Sequence, residues 1–285
     1  LRWKPAAAKL AEMTSDPLPR NRLLAGMALA KLKDPASTST FVKLARDNES
    51  NRDPYLRHAA VTGLAGLQNE ASLTALTGDA SSEVRLTATL ALRRLRSHAV
   101  SRYLRDTDPR VTVEAARAIH DLPIDAAMPD LASLDLNQQT AVPLARRIVD
   151  AQVRVGNEHA ADRLTRVASD SSLSGAIRSQ AIQALAKWGE PTTRDAITGL
   201  WRPLPARDHA QAVAKLSPHL PSLLETGPAE VQIESARLSA AWKQTGSGAA
   251  LMQLVSNPAA GVEPRREALK SLAALKDERL PKAIE

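Results

Sequence analysis

Cysteine is absent from the 285 residues, which excludes disulfides, thiolate chemistry, zinc–cysteine sites and covalent haem attachment within this segment. Aromatics are nearly absent too. Phe41, Tyr55, Tyr103 and the tryptophans Trp3, Trp188, Trp201 and Trp242 make up 2% of the chain. Base stacking has little to use, and the core has to be aliphatic. The 12 glycines form no phosphate-binding loop; Gly246-Ser247-Gly248 lacks the Lys-Ser/Thr such a loop needs, and no strand precedes it. Apolar runs extend only a few residues, too short for a spanning helix. There is no positively charged leader followed by an apolar stretch, the pattern of a signal peptide. The chain opens on Leu1 in mid-pattern and reads as a piece of a longer polypeptide.

What is abundant is alanine and leucine, 51 and 39 residues, about a third of the chain. Both favour helices, while the β-branched and aromatic residues of strands are scarce. The class is therefore all-α. Catalytic patterns are missing. The six histidines, at 58, 98, 120, 159, 209 and 219, include no pair at i, i+3 or i+4, and they read as surface or turn residues. No Gly-x-Ser-x-Gly elbow occurs. Asp106 and Asp108 sit together beside Arg105 and Arg110, and they read as a solvated, capped turn. The segment is expected to be non-catalytic, with no metal site and no cofactor of its own.

One pattern recurs: Arg, Ala three residues on, Ala-Leu three further, then Leu. Its clearest copy is Arg85-Ala88-Ala91-Leu92-Leu95. Lead positions fall at Arg22, Arg57, Arg85, Thr112, about 147, Arg178, Gln232 and Arg265. The spacing is about thirty residues, apart from 54 between positions 178 and 232. Such a unit fits two short helices, and the small residues on one face of the second let a neighbour approach closely. Segments 40–47, 97–106, 159–170 and 248–257 supply first helices. Asp53-Pro54 and Asp108-Pro109 are helix starts, with an Asp cap and proline at the first helical position. Ser82 and Glu83 are expected to start a helix in the same way.

The Asp-Pro-x-Val-Arg-x-x-Ala-x-x-Ala-Leu phrasing resembles the HEAT-repeat family. The resemblance implies a right-handed α-α superhelix of about eight helical pairs over residues 1–285, a solenoid irregular at 191–225. It also implies a ladder of Asp–Arg bonds between adjacent units, carried by Arg22, Arg57, Arg85, Arg178 and Arg265, with breaks at Thr112 and Gln232. Stacked units bury one continuous core, and each alone is unstable. Residues 108–132, 181–208 and 229–242 resemble, more closely, the HEAT region of large membrane-bound dehydrogenase-like proteins of planctomycetes and verrucomicrobia. Those join a sorbosone dehydrogenase-like β-propeller, HEAT repeats and a c-type cytochrome domain. That likeness implies a periplasmic or exported bacterial parent, a possible oxidoreductase, with neither flank present in this chain.

Charge is uneven. Residues 1–110 hold 18 basic and 11 acidic residues, whereas the remainder holds 20 of each. Arg93, Arg94, Arg96, Arg102 and Arg105 form a candidate surface for a partner or an anion. The competing reading is a solvated helix end paired to Asp106 and Asp108. In the long interval, five prolines at 191, 203, 205, 218 and 221 break helices. The expectation there is a short helix at 192–199, an irregular Leu200–Asp208 loop, a helix near 207–216 and another from 218 to 225. Trp201 with Arg202 is a candidate interface anchor; the alternative is that Trp201 fills the core where stacking is interrupted. The functional expectation is a scaffold whose partner is another protein or neighbouring domains of the same chain. The alternatives are an anion- or nucleic-acid-binding solenoid and a segment that shapes a parent enzyme's active site. Nucleic acid ranks below protein because aromatics are scarce.

Overall fold

A computed structural model of the chain describes residues 3–284. Helices dominate. No strand occurs among the described residues, whose one extended pairing is an isolated bridge between Arg194 and Trp201. The all-α, helical-repeat class is the one observed. The chain forms two compact units, residues 1–131 and 132–285.

The first unit contains α1 (Ala7–Met13), α2 (Pro19–Leu32), α3 (Thr38–Arg46), α4 (Pro54–Leu67), α5 (Glu70–Ala75), α6 (Ser82–Leu95) and α7 (Pro109–Asp121); α8 (Met128–Ala132) ends at its boundary. α2, α4, α6 and α7 lie side by side, each backed by the segment before it. They carry the lead residues Arg22, Arg57, Arg85 and Thr112. The first segment of the fourth pair departs from expectation. The α-helix expected within residues 97–106 does not form; His98–Tyr103 is a 3-10 helix instead. Its six residues are anchored by Val100 and Tyr103, both buried, with the Tyr103 hydroxyl donating to the Leu73 carbonyl at 2.6 Å. Burial pushes the Tyr103 hydroxyl's pKa upward, so it stays a donor.

Small residues set the spacing. Leu44, Ala45, Leu56, Ala59, Ala60 and Val84 form a core between α3, α4 and α6. Phe41, the lone phenylalanine, is fully buried, and its ring fills the space that a Cβ on Gly63 would need. Asp53 caps α4 by accepting from the Tyr55 and Leu56 amides at 2.8 and 3.4 Å, and Asp108 caps α7 from the Arg110 amide at 2.8 Å. At α6 the cap is Ser81, accepting from the Val84 amide at 3.2 Å, not Ser82. Ser82 is already the first helical residue, and its hydroxyl donates to Glu49 at 2.7 Å. The second helices often end on a cation in the left-handed region: Lys33, Arg96 and Lys276 all have φ of 52°.

The second unit contains α9 (Val142–Val155), α10 (Glu158–Ser169), α11 (Gly175–Ala186), α12 (Ala210–Leu216), α13 (Leu220–Thr226), α14 (Ala229–Ala241), α15 (Gly248–Ser256), α16 (Val262–Leu275) and α17 (Leu280–Ile284). α11 packs on α9 and α14, and α14 packs on α16. The four carry the lead positions near 147 and at 178, 232 and 265. Trp188 is fully buried at the end of α11, among Leu185, Leu216 and Leu220.

The expected helix at 192–199 does not form. Asp195 turns the chain instead. Its carboxylate accepts from the Ile197 and Thr198 amides at 2.8 and 2.7 Å, and Gly199 takes φ of 70°. The Asp195 amide donates to the Leu200 carbonyl and the Arg202 amide to the Thr193 carbonyl, both at 2.9 Å, which closes a hairpin. The irregular loop and the helices near 207–216 and 218–225 correspond to residues 200–208, α12 and α13.

Candidate functional site

The five clustered arginines do not share one surface. Arg93 and Arg94 leave α6 toward its neighbours α7 and α4. Arg93 is half-buried and ion-paired with Glu114 of α7. Arg94 is exposed; its Nη1 donates to Thr62 Oγ1 at 2.8 Å and its Nη2 to His58 Nδ1 at 3.2 Å, both on α4. Pro54, Arg57, His58, Val61, Leu90, Arg93 and Arg94 line a groove of about 350 Å³. Arg96 sits in the turn that ends α6, and with Arg102 it borders a separate groove of about 880 Å³ beside α5. There Ser97 donates to Glu70 at 2.6 Å, and His98 faces Asp130 at 3.1 Å. Arg105 is exposed in the turn before Asp106. Proximity in sequence is thus split by the left-handed turn at Arg96.

The ladder residues have a different job. Arg85 forks onto Asp106 at 2.7 and 2.9 Å and also donates to the Asp79 carbonyl at 2.7 Å. This is the expected bond to the next unit. It holds the guanidinium's pKa above the ordinary value. Arg57 finds a glutamate rather than an aspartate: its Nη2 donates to Glu83 at 3.0 Å. Glu83 is fully buried and also faces Arg110 at 3.6 Å. Arg110 binds Asp108 at 2.7 Å, and this contact is the chief reason the Asp108 carboxyl is pulled down to about 2. Glu49, accepting from Ser82 and the Glu83 amide, also lies below its usual range. Burial pushes it up, but bonds from Ser81, Ser82 and that amide outweigh the push. Arg22 does not join the ladder; its Nε has no partner among the described residues.

In the second unit, Arg178 and Arg265 reach back to the helix before their own. Arg178 Nε donates to the Ala168 carbonyl at 2.9 Å, and Arg265 Nε to the Val255 carbonyl at 2.8 Å. Each satisfies the end of the preceding helix. Gln232, expected to break the ladder, makes the same bond to the Leu224 carbonyl at 3.0 Å. An amide suffices because the acceptor is a carbonyl and not a carboxylate. Thr112 does depart: its hydroxyl returns to the Pro109 carbonyl at 3.1 Å.

Residues 6–93 match the family model of HEAT repeats. The match spans α1 to α5 and nearly all of α6, including the Arg93 side of the groove. Among solved structures, an engineered protein from the Northeast Structural Genomics Consortium is 18% identical, with 97% of this chain and 81% of that one covered and a TM-score of 0.46. A designed armadillo repeat protein is 17% identical over 94% of this chain and 98% of its own, with a TM-score of 0.32. Human deoxyhypusine hydroxylase in complex with glycerol is 15% identical, covering 84% and 85%, with a TM-score of 0.34. No curated protein matches the chain.

The proposed anchor pair separates. Trp201 is 66% exposed, and Leu200 beside it is 55% exposed. The reading of Trp201 as core filling is therefore corrected: Trp188 occupies that place. Arg202 points the other way and donates to the buried Asp195 carboxylate at 2.9 Å, where Arg154 also binds at 2.6 Å. His120, expected near the surface, is fully buried at the end of α7, with Nδ1 3.0 Å from the Asp121 carboxylate. The periodicity alone could have placed it inward, one position after Ile119. No helix among the described residues is long and apolar enough to cross a membrane.

Proposed function

We propose that this chain is a non-catalytic helical-repeat scaffold that binds protein, with the α4–α6 groove of the first unit as its binding surface. The observation that carries the proposal is the state of Arg94. One residue past the HEAT-matched segment, it is an exposed guanidinium held in place by Thr62 and His58, with no carboxylate partner among the described residues. A cation fixed at a groove and left without a counter-ion is a feature of recognition and does little for folding. The split of the basic cluster over two surfaces weighs against the alternative of one polyanion track. One array of about eight pairs is part of the same proposal. So is a place within an exported dehydrogenase-like protein, which the phrases at 108–132, 181–208 and 229–242 support; the sequence of the encoding gene on either side decides that.

The absence of cysteine makes a direct test clean. A single cysteine placed at Ala65, near the groove on α4, carries a photo-cross-linker. A second variant carries it at Ala71 on α5. Expected is a protease-sensitive, nuclease-resistant adduct from position 65 that exceeds the one from position 71. Equal yields would remove the groove from the proposal.

A further inference from the structure

The structure points to the chemistry of the partner: we infer that the α4–α6 groove takes a carboxylate-bearing segment of a protein, with Arg94 as the group that reads it. This rests on the scaffold reading above and specifies its ligand.

Three arginines line the groove. Arg57 is committed to Glu83 and Arg93 to Glu114. Arg94 is the one with neutral acceptors, Thr62 Oγ1 and His58 Nδ1. A guanidinium has five N–H donors. Two are used, which leaves one on each of its three nitrogens, enough for a fork onto a carboxylate. The two acceptors are themselves fixed. Thr62 Oγ1 gives its proton to the His58 carbonyl at 2.7 Å, so it meets Arg94 with a lone pair. Arginine can only donate, so His58 Nδ1 accepts, and its ring proton lies on Nε2. His58 is exposed, and that N–H is a further donor at the groove. Apart from one lone pair left on Thr62 Oγ1, the side-chain groups free at this point are donors, held before any ligand arrives, which lowers the ordering cost of binding.

The surroundings favour a peptide over a nucleic acid. Pro54, Val61 and Leu90 supply an apolar lining, and about 350 Å³ accommodates one or two side chains. No aromatic residue lines the groove to stack a base. Of the clustered arginines, Arg96 and Arg102 border a different groove and Arg105 sits in a turn, so the cluster lays no single row of cations for a phosphate backbone. Carboxylates are what the neighbouring arginines already hold here: Arg57 with Glu83, Arg93 with Glu114 and Arg85 with Asp106.

The test uses the full chain and a fluorescently labelled hexaglutamate peptide, read by anisotropy at low and at moderate salt, with hexalysine and a single-stranded oligothymidine as rivals. Expected is binding of hexaglutamate that weakens about tenfold or more in Arg94→Gln, as for loss of a charge-assisted pair. Thr62→Val keeps the charge but frees the side chain, and a smaller loss, about threefold, is expected. Arg102→Gln removes an equal charge from the other groove and is expected to change affinity less than about twofold. Circular dichroism checks that each variant keeps its helices. Equal losses in Arg94→Gln and Arg102→Gln would reduce the effect to diffuse charge and overturn the inference. Tighter binding of oligothymidine, with the same dependence on Arg94, would overturn it in favour of nucleic acid. If hexaglutamate does not bind while the position-65 cross-linker still captures protein, the acidic ligand falls and the scaffold reading stands. If neither occurs, both fall.

Discussion

The guanidinium of Arg207 stands over the ring of Trp188, 4.6 Å from its centre, and fastens an irregular loop to the core of the second unit. Its Nη2 donates to the Val153 carbonyl at 2.9 Å, near the end of α9. Gly156, at φ of 62°, ends that helix, and a Cβ there would collide with the same guanidinium. Burial lowers the Arg207 pKa, a cost offset by the ring face and the carbonyl.

Trp188 and Trp201 should therefore respond in opposite ways. Trp188→Ala is expected to cost about 3–5 kcal/mol in denaturant unfolding, the loss of a buried large side chain. Trp201→Ala should stay within about 0.5 kcal/mol. Equal losses would mean that the hairpin, not α11, holds the core.

Gly63→Ala should destabilise by about 1–3 kcal/mol, because the new methyl meets the Phe41 ring. Phe41→Leu in the same chain should recover part of that loss. A double-mutant cycle on thermal midpoints shows whether the two positions couple.

Arg85 and Asp106 form a pair whose side chains are 11% and 4% exposed. Arg85→Ala leaves Asp106 and the Asp79 carbonyl without it, and about 3–5 kcal/mol should be lost. Gln232→Leu forfeits one carbonyl bond, and about 1 kcal/mol is expected. Chemical denaturation of the two variants ranks them.

The Asp108 carboxyl lies at about 2, below its ordinary 3.8, chiefly because Arg110 binds its charged form. The unfolded chain therefore takes up this proton first as pH falls. The stabilisation is complete above about pH 4 and lost on the way to about pH 2, an effect of about 1–2 kcal/mol for this half-buried group. Asp108→Asn keeps the cap on the Arg110 amide but removes that acid sensitivity. Unfolding midpoints between pH 5 and pH 2 should fall less steeply in the variant.

The repeat was legible because its signal is one of spacing. Arg22, Arg57, Arg85 and Thr112 lead four of the second helices, and Arg178, Gln232 and Arg265 lead three more. Partners across space were harder to read. Arg57 uses Glu83 because a glutamate at the start of α6 reaches back to α4. The bond of Gln232 to Leu224 was missed because the expectation demanded a charged partner. The hairpin at 193–202 was hidden by helix-permitting residues such as Ala196 and Ile197. Its signal lay in Asp195 and Gly199, which favour a turn. The separation of Arg94 from Arg96 follows from one backbone angle that composition does not encode, and the tether on Arg94 depends on Thr62 and His58 about 30 residues earlier.

That same angle has a use at the bench. Lys33, Arg96 and Lys276 each hold φ of 52°, a conformation that glycine adopts without strain. Each position gives up about 1 kcal/mol relative to glycine and gains a cation against the negative end of a helix, worth about 0.3–1 kcal/mol at a surface. The chain thus sits below the stability its backbone allows. Lys33→Gly and Lys276→Gly lie outside the groove residues, so the pair offers a sturdier background in which groove variants can be compared without approaching the unfolding threshold.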